Sequence, residues 1–542
     1  MDADSGGRRC CYGRGRRWIE LSEAIYKSIS PSDFFYRNRE IAGFSNPSRA
    51  MYSAIRELVD ACELRGVPPD IYIRIREVSE TGSGTSIYAL RVEDNGTGVP
   101  PEHIPRCFGQ VLYGSKYILK QSRGTFGLGG TITILYGQIT THKPVRVTSS
   151  TGGDIHEYEM MIDIVHNKPI ILSHRVKTNR SGWRGTAVEL YLEGDYSRSM
   201  YRIYEYLKQT AMVNPYAEIT FIDPRGRLYL FERVTEEMPP PPRAVRPHPQ
   251  GADVETYRRL IAITNEKTMK GFMMRHFQGV GPATAERFLQ EAGIDPGKNP
   301  KSLSPEELVK LVRAAREFDG FQRPDPSCLS PIGEHLLEMG IRKELGLTEE
   351  DFLKVVQRKP STYLGYPFIV EAAIAYGKTI ERRLGRGIKI YRFANRIPLL
   401  FDESSGVVWK VVHKIINWNT YKVSPDSPMV VVVHVCSTKI PYKTVGKEYM
   451  ADQPEVEREI TNALRSIARH LRLYISRRIR LAKERRRLSI FEKYLPKIAE
   501  FSAKLCDREK PPDIKPLLKA VSLEVPETES PLREVPKLEE ET

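Results

Sequence analysis

The sequence predicts an α+β protein of several domains, and three observations carry the prediction. Strand-like alternation and amphipathic helical spacing interleave from Leu21 to about residue 232. A proline run at 238–251 then precedes a purely helical stretch, 253–320. Mixed α/β text returns over 330–480 and runs into one long helix. At 542 residues the chain has room for about three or four domains of roughly 100–200 residues each.

Residues 1–20 are Gly/Arg-rich and read as a flexible basic N-terminus. The stretch 47–64 (PSRAMYSAIRELVDACEL) has helical apolar spacing, with Pro47 suited to the first turn. Alternation at 70–77 (DIYIRIRE) and 87–93 (IYALRVE) predicts two strands around the turn text TGSGT. Gly-rich polar text fills 94–130, a helix is expected over 131–138, and strands at 144–150, 157–164 and 186–192. A helix over 197–211 and strands at 217–222 and 227–232 complete a first domain, 21–245. The prolines of MPPPPRAVRPHPQG stiffen the chain into a boundary. A helical domain over 250–325 contains GVGPATAERFLQEAG (279–293), a Gly-containing turn opening a helix that stops at a Gly. Strands at 388–393 (IKIYRF), 397–401 and 429–435 (MVVVVHV) belong to a domain over 328–500. Within the helical segment 455–510, Ile460, Leu464, Ile467, Leu471 and Tyr474 alternate spacings of four and three, one apolar face. Residues 510–542 are Pro/Glu-rich and read as a flexible acidic tail, and no internal repeat is found.

Composition narrows the class. No run approaches the ~18 consecutive apolar residues of a membrane span, and the basic N-terminus has no apolar stretch behind it, which predicts a cytoplasmic protein. The seven cysteines (Cys10, Cys11, Cys62, Cys107, Cys328, Cys436, Cys506) show no C-x2-C pair, so reduced thiols are expected rather than a zinc site. A net charge of +15 favours a polyanionic partner, since each phosphate contact releases condensed counterions.

The chemistry concentrates in a few strings. VEDNGTGVP (92–100) ends a strand in a tight turn that exposes the Asp94 carboxylate, an acceptor suited to the exocyclic amine of adenine; the same text also suits an ordinary hairpin. YGSKY (113–117) and RGTFGLGGT (123–131) follow. Four glycines in seven positions before a helix form a loop whose N–H groups can cradle phosphates, with a spacing that is not that of a P-loop. GWRGTAVELYL (182–192) places Gly185-Thr186 at a strand start, and Glu57 lies upstream on the amphipathic helix.

In this order the set resembles the GHKL (Bergerat) ATPase superfamily. FFYRNREIAGFSNPSRAMYSAIREL, FGQVLYGSKY, GLGGTITILYGQ, YRFANRIPLLFD and VHVCSTKIPYKTVGKE further resemble the topoisomerase VI B subunit, from about Ser30 to about Arg480. The resemblance implies a GHKL α/β sandwich, an all-α helix–two-turn–helix insert and an α/β transducer domain with a long C-terminal helix. It implies ATP and Mg2+ as ligands, with Asp94 reading adenine, Ser115 and Lys116 beside the nucleotide, and Gly124, Thr125, Phe126, Gly127, Leu128, Gly129, Gly130 and Thr131 wrapping the phosphates. Thr186 lines the pocket, Lys447 reaches the γ-phosphate from the second domain, and Glu57 is the general base. The implied partners are double-stranded DNA, a second copy of the chain when ATP binds, and an A subunit that carries the cleaving tyrosine in an A2B2 heterotetramer. An archaeal source is implied too.

Two positions depart from the family pattern. Its helix reads R-E-L-[VIF]-[DE]-N-S-L-D-A, with a Mg2+-binding Asn four residues after Glu; here RELVDACELRG puts Ala61 there, as though four residues were removed. Four residues are slightly more than one turn, so the apolar face rotates only about 40°. Alanine, however, offers no oxygen to a hard cation. Thr131 stands where relatives commonly carry Lys. Either the chain is a weakened ATPase, at the extreme a non-hydrolysing nucleotide-gated DNA clamp, or the gap is an error in the sequence. Elsewhere, Gly279 and Gly281 are candidates for a DNA phosphate contact or a plain helical turn. The run RRIRLAKERRR (477–487) is a solvated charged face or a duplex contact.

Overall fold

The computed structural model describes residues 28–58, 66–81, 84–114, 120–121, 128–401, 404–442, 450–508 and 510–517. Helices α1 (Pro31–Arg37) and α2 (Pro47–Leu58) precede strands β1 (Asp70–Glu80) and β2 (Ser86–Asp94). Then come α3 (Ile104–Gly109), α4 (Gly129–Thr141), β3 (Val145–Thr151), β4 (Ile155–Asp163), β5 (Lys168–Lys177) and β6 (Arg184–Gly194). Helix α5 (Tyr196–Val213), β7 (Glu218–Ile222) and β8 (Leu228–Phe231) follow. These strands form an eight-stranded sheet in the order β5-β4-β3-β6-β2-β1-β7-β8, with β1 and β7 parallel and the other neighbours antiparallel.

Strand alternation decides which sheet face is covered. Ile71, Ile73 and Ile75 of β1 and Tyr88, Leu90 and Val92 of β2 are buried with Ile55 of α2, Leu135 of α4 and Leu207 of α5 in one core. The residues between them point to the opposite face. Each fully buried aliphatic chain here contributes about 1.5–3 kcal/mol. Strand β5 is absent from the sequence-based expectation. It lies at the sheet edge and is exposed along most of its length, so KPIILSHRVK carries no alternation to read.

The helical stretch folds as expected into α6 (Val254–Ile263), α7 (Met269–His276), α8 (Pro282–Glu291) and α9 (Pro305–Glu317). Side chains of Asp253, Thr268 and Ser304 cap three of these starts, the last in a reciprocal box with Glu307. Tyr257, Phe272, Phe277 and Phe288 fill their common core.

Next come α10 (Glu334–Leu345), β9 (Phe352–Gln357), β10 (Ser361–Tyr363), β11 (Tyr366–Tyr376), α11 (Lys378–Leu384), β12 (Ile388–Ala394), β13 (Ile397–Pro398), α12 (Val407–Lys410), β14 (Met429–Ser437) and α13 (Pro454–Leu505). The second sheet runs β10-β11-β14-β12-β13, with β9 also on β11. MVVVVHVCS of β14 is buried at every position because both faces are covered. Met429, Val431, Val433 and Val435 face α13 and α12, whereas Val430 and Val432 face α10, α11 and the end of α5. Strands β9, β10 and β11 add to the sequence-based reading, and the expected strand 397–401 is shortened to Ile397–Pro398. Its remainder leaves the sheet, and Leu400 and Phe401 pack against the first core.

Helix α13 spans 52 residues, about 78 Å. Ile460, Leu464, Ile467 and Leu471 are buried on the second sheet as their spacing predicts, joined by Val456 and Ile475. Beyond Ile475 few side chains are covered, and Pro496 sits within the helix. No helix among the described residues is long and apolar enough to cross a membrane.

Candidate functional site

Strand register brings the first group together. Along β2 the inward positions are Tyr88, Leu90, Val92 and then Asp94, where the core gives way to a half-buried carboxylate. Asp94 pairs with Ile71 on β1 and Thr186 on β6, and Thr186 pairs with Ser149 on β3. Asp94, Thr186 and Ser149 thus form a polar row on the helix-bearing face. Ser149, which sequence reasoning did not find, is fully buried. Its hydroxyl donates to the Gly185 carbonyl (2.9 Å), accepts the Val99 amide (2.9 Å) and lies 3.0 Å from the Thr186 hydroxyl.

The glycines of this text have steric reasons. The Gly96 amide donates to Asp94 Oδ1 at 2.8 Å, closing the turn. Gly98 has a left-handed φ of +71°, and a Cβ there would stand 2.0 Å from the Ser150 carbonyl oxygen. At Gly185, φ +144°, a Cβ would stand 1.9 Å from the Asp94 carbonyl oxygen. D-N-G-T-G and G-T are therefore two halves of one tight backbone contact.

A cavity of about 140 Å³ opens at the same strand ends, lined mainly by outward residues including Asp70, Tyr72, Glu93, Asn95 and Glu218. Asp94 lines it too, and its four carboxylates (Asp70, Glu93, Asp94 and Glu218) make it a poor receptor for a polyphosphate.

The second group forms where α2 meets α4. Arg56 and Glu57 are adjacent, and the Arg56 guanidinium donates to Glu57 Oε1 at 2.6 and 3.1 Å. Burial would lower the Arg56 pKa, but the Glu57 carboxylate beside it holds it above its ordinary value, so the pair is ionic. Glu57 Oε2 abuts the start of α4: a Cβ on Gly129 would stand 1.8 Å from it. The first amides of α4 have no intrahelical acceptor and no side-chain cap, and a Cβ on Gly130 would meet nothing within 4 Å. Among the described residues, this helix N-terminus has no cap and has a carboxylate at its side. Thr131 is buried and its hydroxyl donates to the Leu128 carbonyl at 3.1 Å, so only its amide belongs to this terminus.

The C-terminal sheet reaches the same place. Tyr442 is paired with Met450 across an antiparallel bridge. Burial raises its hydroxyl pKa, while the charge of Arg56 lowers it and that of Glu57 raises it. Of the sequence-predicted residues, Glu57, Asp94, Leu128, Gly129, Gly130, Thr131 and Thr186 are thereby placed. Ser115, Lys116, Gly124, Thr125, Phe126, Gly127, Lys447 and the Ala61 position lie outside the described residues, as do 1–20 and most of 510–542.

The described residues fit a nucleotide, since they offer an acceptor, a hydroxyl row and helix amides with no side-chain cap among the described residues. No group of three or more His, Cys, Asp or Glu able to hold a metal occurs among the described residues, and the position of the family's Mg2+-binding Asn lies outside them. Cys107, Cys328, Cys436 and Cys506 are free thiols.

The two candidate phosphate-contact regions lie elsewhere, on the turn before α8 and on α13. Gly279 is left-handed at φ +71°, and Gly281 caps α8 without a side-chain bond and with open space where a Cβ would be. On α13, Arg477, Arg480, Lys483, Arg485, Arg486 and Arg487 are exposed, whereas Arg478 is turned onto the Tyr474 hydroxyl at 2.6 Å.

Known proteins resemble this chain along most of its length. The family model "Topoisomerase VI B subunit, transducer" matches residues 324–487. The B subunit of type 2 DNA topoisomerase 6 from Metallosphaera sedula is 42% identical over 482 residues, covering 88% of this chain and 89% of that protein. Its counterpart of the same name from Pyrobaculum aerophilum is 45% identical over 483 residues, with the same shares covered. Among solved structures, the 43K ATPase domain of Thermus thermophilus gyrase B aligns over 86% of this chain and 98% of its own. That alignment has 12% identity and a TM-score of 0.38.

Proposed function

The chain belongs to the family of type 2 DNA topoisomerase 6 B subunits, and from this we propose that it binds ATP between the Asp94 row and the N-terminus of α4 and hydrolyses it with Glu57 as general base. One observation carries the reading: Glu57 Oε2 stands against the first turn of α4, where a γ-phosphate and its attacking water would meet.

In this reading Asp94 accepts from the adenine amine, and Thr186 and Ser149 set the pocket floor. Gly129, Gly130 and the Thr131 amide, with residues 124–128, hold the phosphates, and Ser115 and Lys116 lie beside them. ATP supplies the anhydride whose cleavage does the work. Arg56 holds Glu57 oriented through Oε1, leaving Oε2 to take a proton from water. The helix amides stabilise charge as it develops on the phosphoryl oxygens. Lys447, in the segment between Tyr442 and Met450, is assigned to the γ-phosphate, which would make the second sheet sense the nucleotide.

The work done is the closing of two ATPase units over ATP, so that a DNA segment passes through a break made by a partner A subunit in an A2B2 assembly and supercoils relax. The 279–282 turn and the exposed basic face of α13 are assigned to duplex phosphates. A second reading, a nucleotide-gated clamp that does not hydrolyse, is favoured by one observation, Ala61 in place of the family's Mg2+-binding Asn.

Both readings require nucleotide-dependent dimerisation. In sedimentation, the chain is expected to run as a monomer alone and as a dimer with a non-hydrolysable ATP analogue. A dimer of equal stability in both conditions would contradict the gate.

A further inference from the structure

We propose that Arg396 is a positioning residue for this hydrolysis, fixing the second sheet to the helix that carries Glu57; the proposal rests on the nucleotide reading above. Arg396 lies in the turn between β12 and β13, where Asn395 and Arg396 both have left-handed φ angles, +48° and +64°. Two-residue turns of this hand favour Asn-Gly, so a side chain at the second place is held against its backbone preference.

The contacts that hold it come from three other segments. Arg396 is 4% exposed, and its guanidinium donates to the Tyr216 hydroxyl (2.9 Å), the Ser330 carbonyl (2.8 Å) and the Ser330 hydroxyl (2.6 Å). Its backbone amide donates to His434 Nε2 at 3.0 Å. That bond makes Nε2 the acceptor, so Nδ1 carries the proton and donates to Glu371 at 2.7 Å. Glu371 and His434 are cross-strand partners on β11 and β14, both fully buried. Burial pushes the Glu371 carboxyl pKa up, but His434 and the amides of Ile332 and Gly333 bring it below the usual range, leaving an anion to balance the buried guanidinium.

From this hub two arms run to the first domain, and the second reaches the helix that carries Glu57. Ser330 is bound reciprocally by Gln121, whose Oε1 accepts the Ser330 amide at 2.7 Å and whose Nε2 donates to the Ser330 carbonyl at 3.2 Å. The other arm is the chain after the turn. Arg392 donates to the carbonyls of Leu399 (3.0 Å) and Phe401 (2.8 Å). The Phe401 ring lies edge-on to Tyr52 of α2 at 5.2 Å and beneath the guanidinium groups of Arg49 and Arg202. Tyr52 is one helical turn before Arg56, and the Arg56 carbonyl accepts the Tyr206 hydroxyl at 3.4 Å. A guanidinium with acceptors on separate segments specifies one placement of sheet against helix, where a purely apolar joint could slide.

The test uses the full chain mixed with its A subunit, well below the melting temperature. Arg396→Lys keeps the charge but cannot reach Tyr216 and Ser330 together. It is expected to lower kcat about tenfold while KM and affinity for a non-hydrolysable ATP analogue stay within about twofold. Tyr216→Phe removes one acceptor with packing kept, and should lower kcat about threefold in the same pattern. Wild-type kcat in both folded variants overturns the proposal. So does a loss in Arg396→Lys that follows only the melting temperature while Tyr216→Phe behaves as wild type. If the unmutated chain fails to bind the analogue, the nucleotide reading falls and this inference with it.

Discussion

Asp94→Asn is expected to reduce affinity for a non-hydrolysable ATP analogue by roughly 100-fold or more in a chain that still folds. The carboxylate terminates the inward row of β2, and an acceptor-only group there matches the amine of adenine. Asparagine places a donor at the same edge, leaving buried polar groups mismatched. The turn should survive, because the asparagine carbonyl can still accept the Gly96 amide that now bonds Oδ1 at 2.8 Å. An equilibrium titration decides it, with circular dichroism as the check on folding. Unchanged affinity in the folded variant would remove Asp94 from the site.

Gly129→Ala should act on the other half of the reaction. Alanine is the better helix former, so α4 itself gains from the change. The new Cβ, however, would stand 1.8 Å from Glu57 Oε2 and 2.9 Å from Glu57 Cβ, so Glu57 must swing off the helix terminus. Losing a positioned general base costs about 10²–10⁴-fold in rate. Single-turnover hydrolysis should fall on that scale while analogue binding persists. A wild-type rate in Gly129→Ala would mean that Glu57 takes no part in the chemistry where it stands.

Much of this architecture was legible in the sequence, for identifiable reasons. The alternation of β1 and β2 follows from a sheet covered on one face, and the heptad-like spacing of Ile460 to Leu471 from a helix on one sheet. The glycines at 98 and 185 announced a turn because backbone contact at those points excludes any side chain. Strand β5 was not legible, since an exposed edge strand needs no pattern. Neither was the run from β9 to β11: YPFIVEAAIAY is buried on both faces and lacks the alternation that identifies a strand. Ser149 belongs to the site only through the register of β3 on β6, and Arg396 only through segments far away in sequence. Glu371 and His434 sit as single polar letters within apolar strands, and only their cross-strand pairing gives them a partner. The orientation of Thr131, with its hydroxyl turned back to Leu128, likewise depends on packing.

The central claim is Glu57-dependent hydrolysis, and the most direct measurement is the steady-state ATPase rate with A subunit and supercoiled DNA. Three chains are compared: the unmodified chain, Glu57→Gln, and a chain with Asn-Ser-Leu-Asp inserted between Asp60 and Ala61. The insertion restores R-E-L-V-D-N-S-L-D-A, keeps Glu57 in place and returns an oxygen ligand for Mg2+. The account predicts a slow rate in the unmodified chain, a rate at least about tenfold higher in the inserted chain, and loss of hydrolysis in Glu57→Gln. Equal rates in the unmodified and Glu57→Gln chains would contradict it.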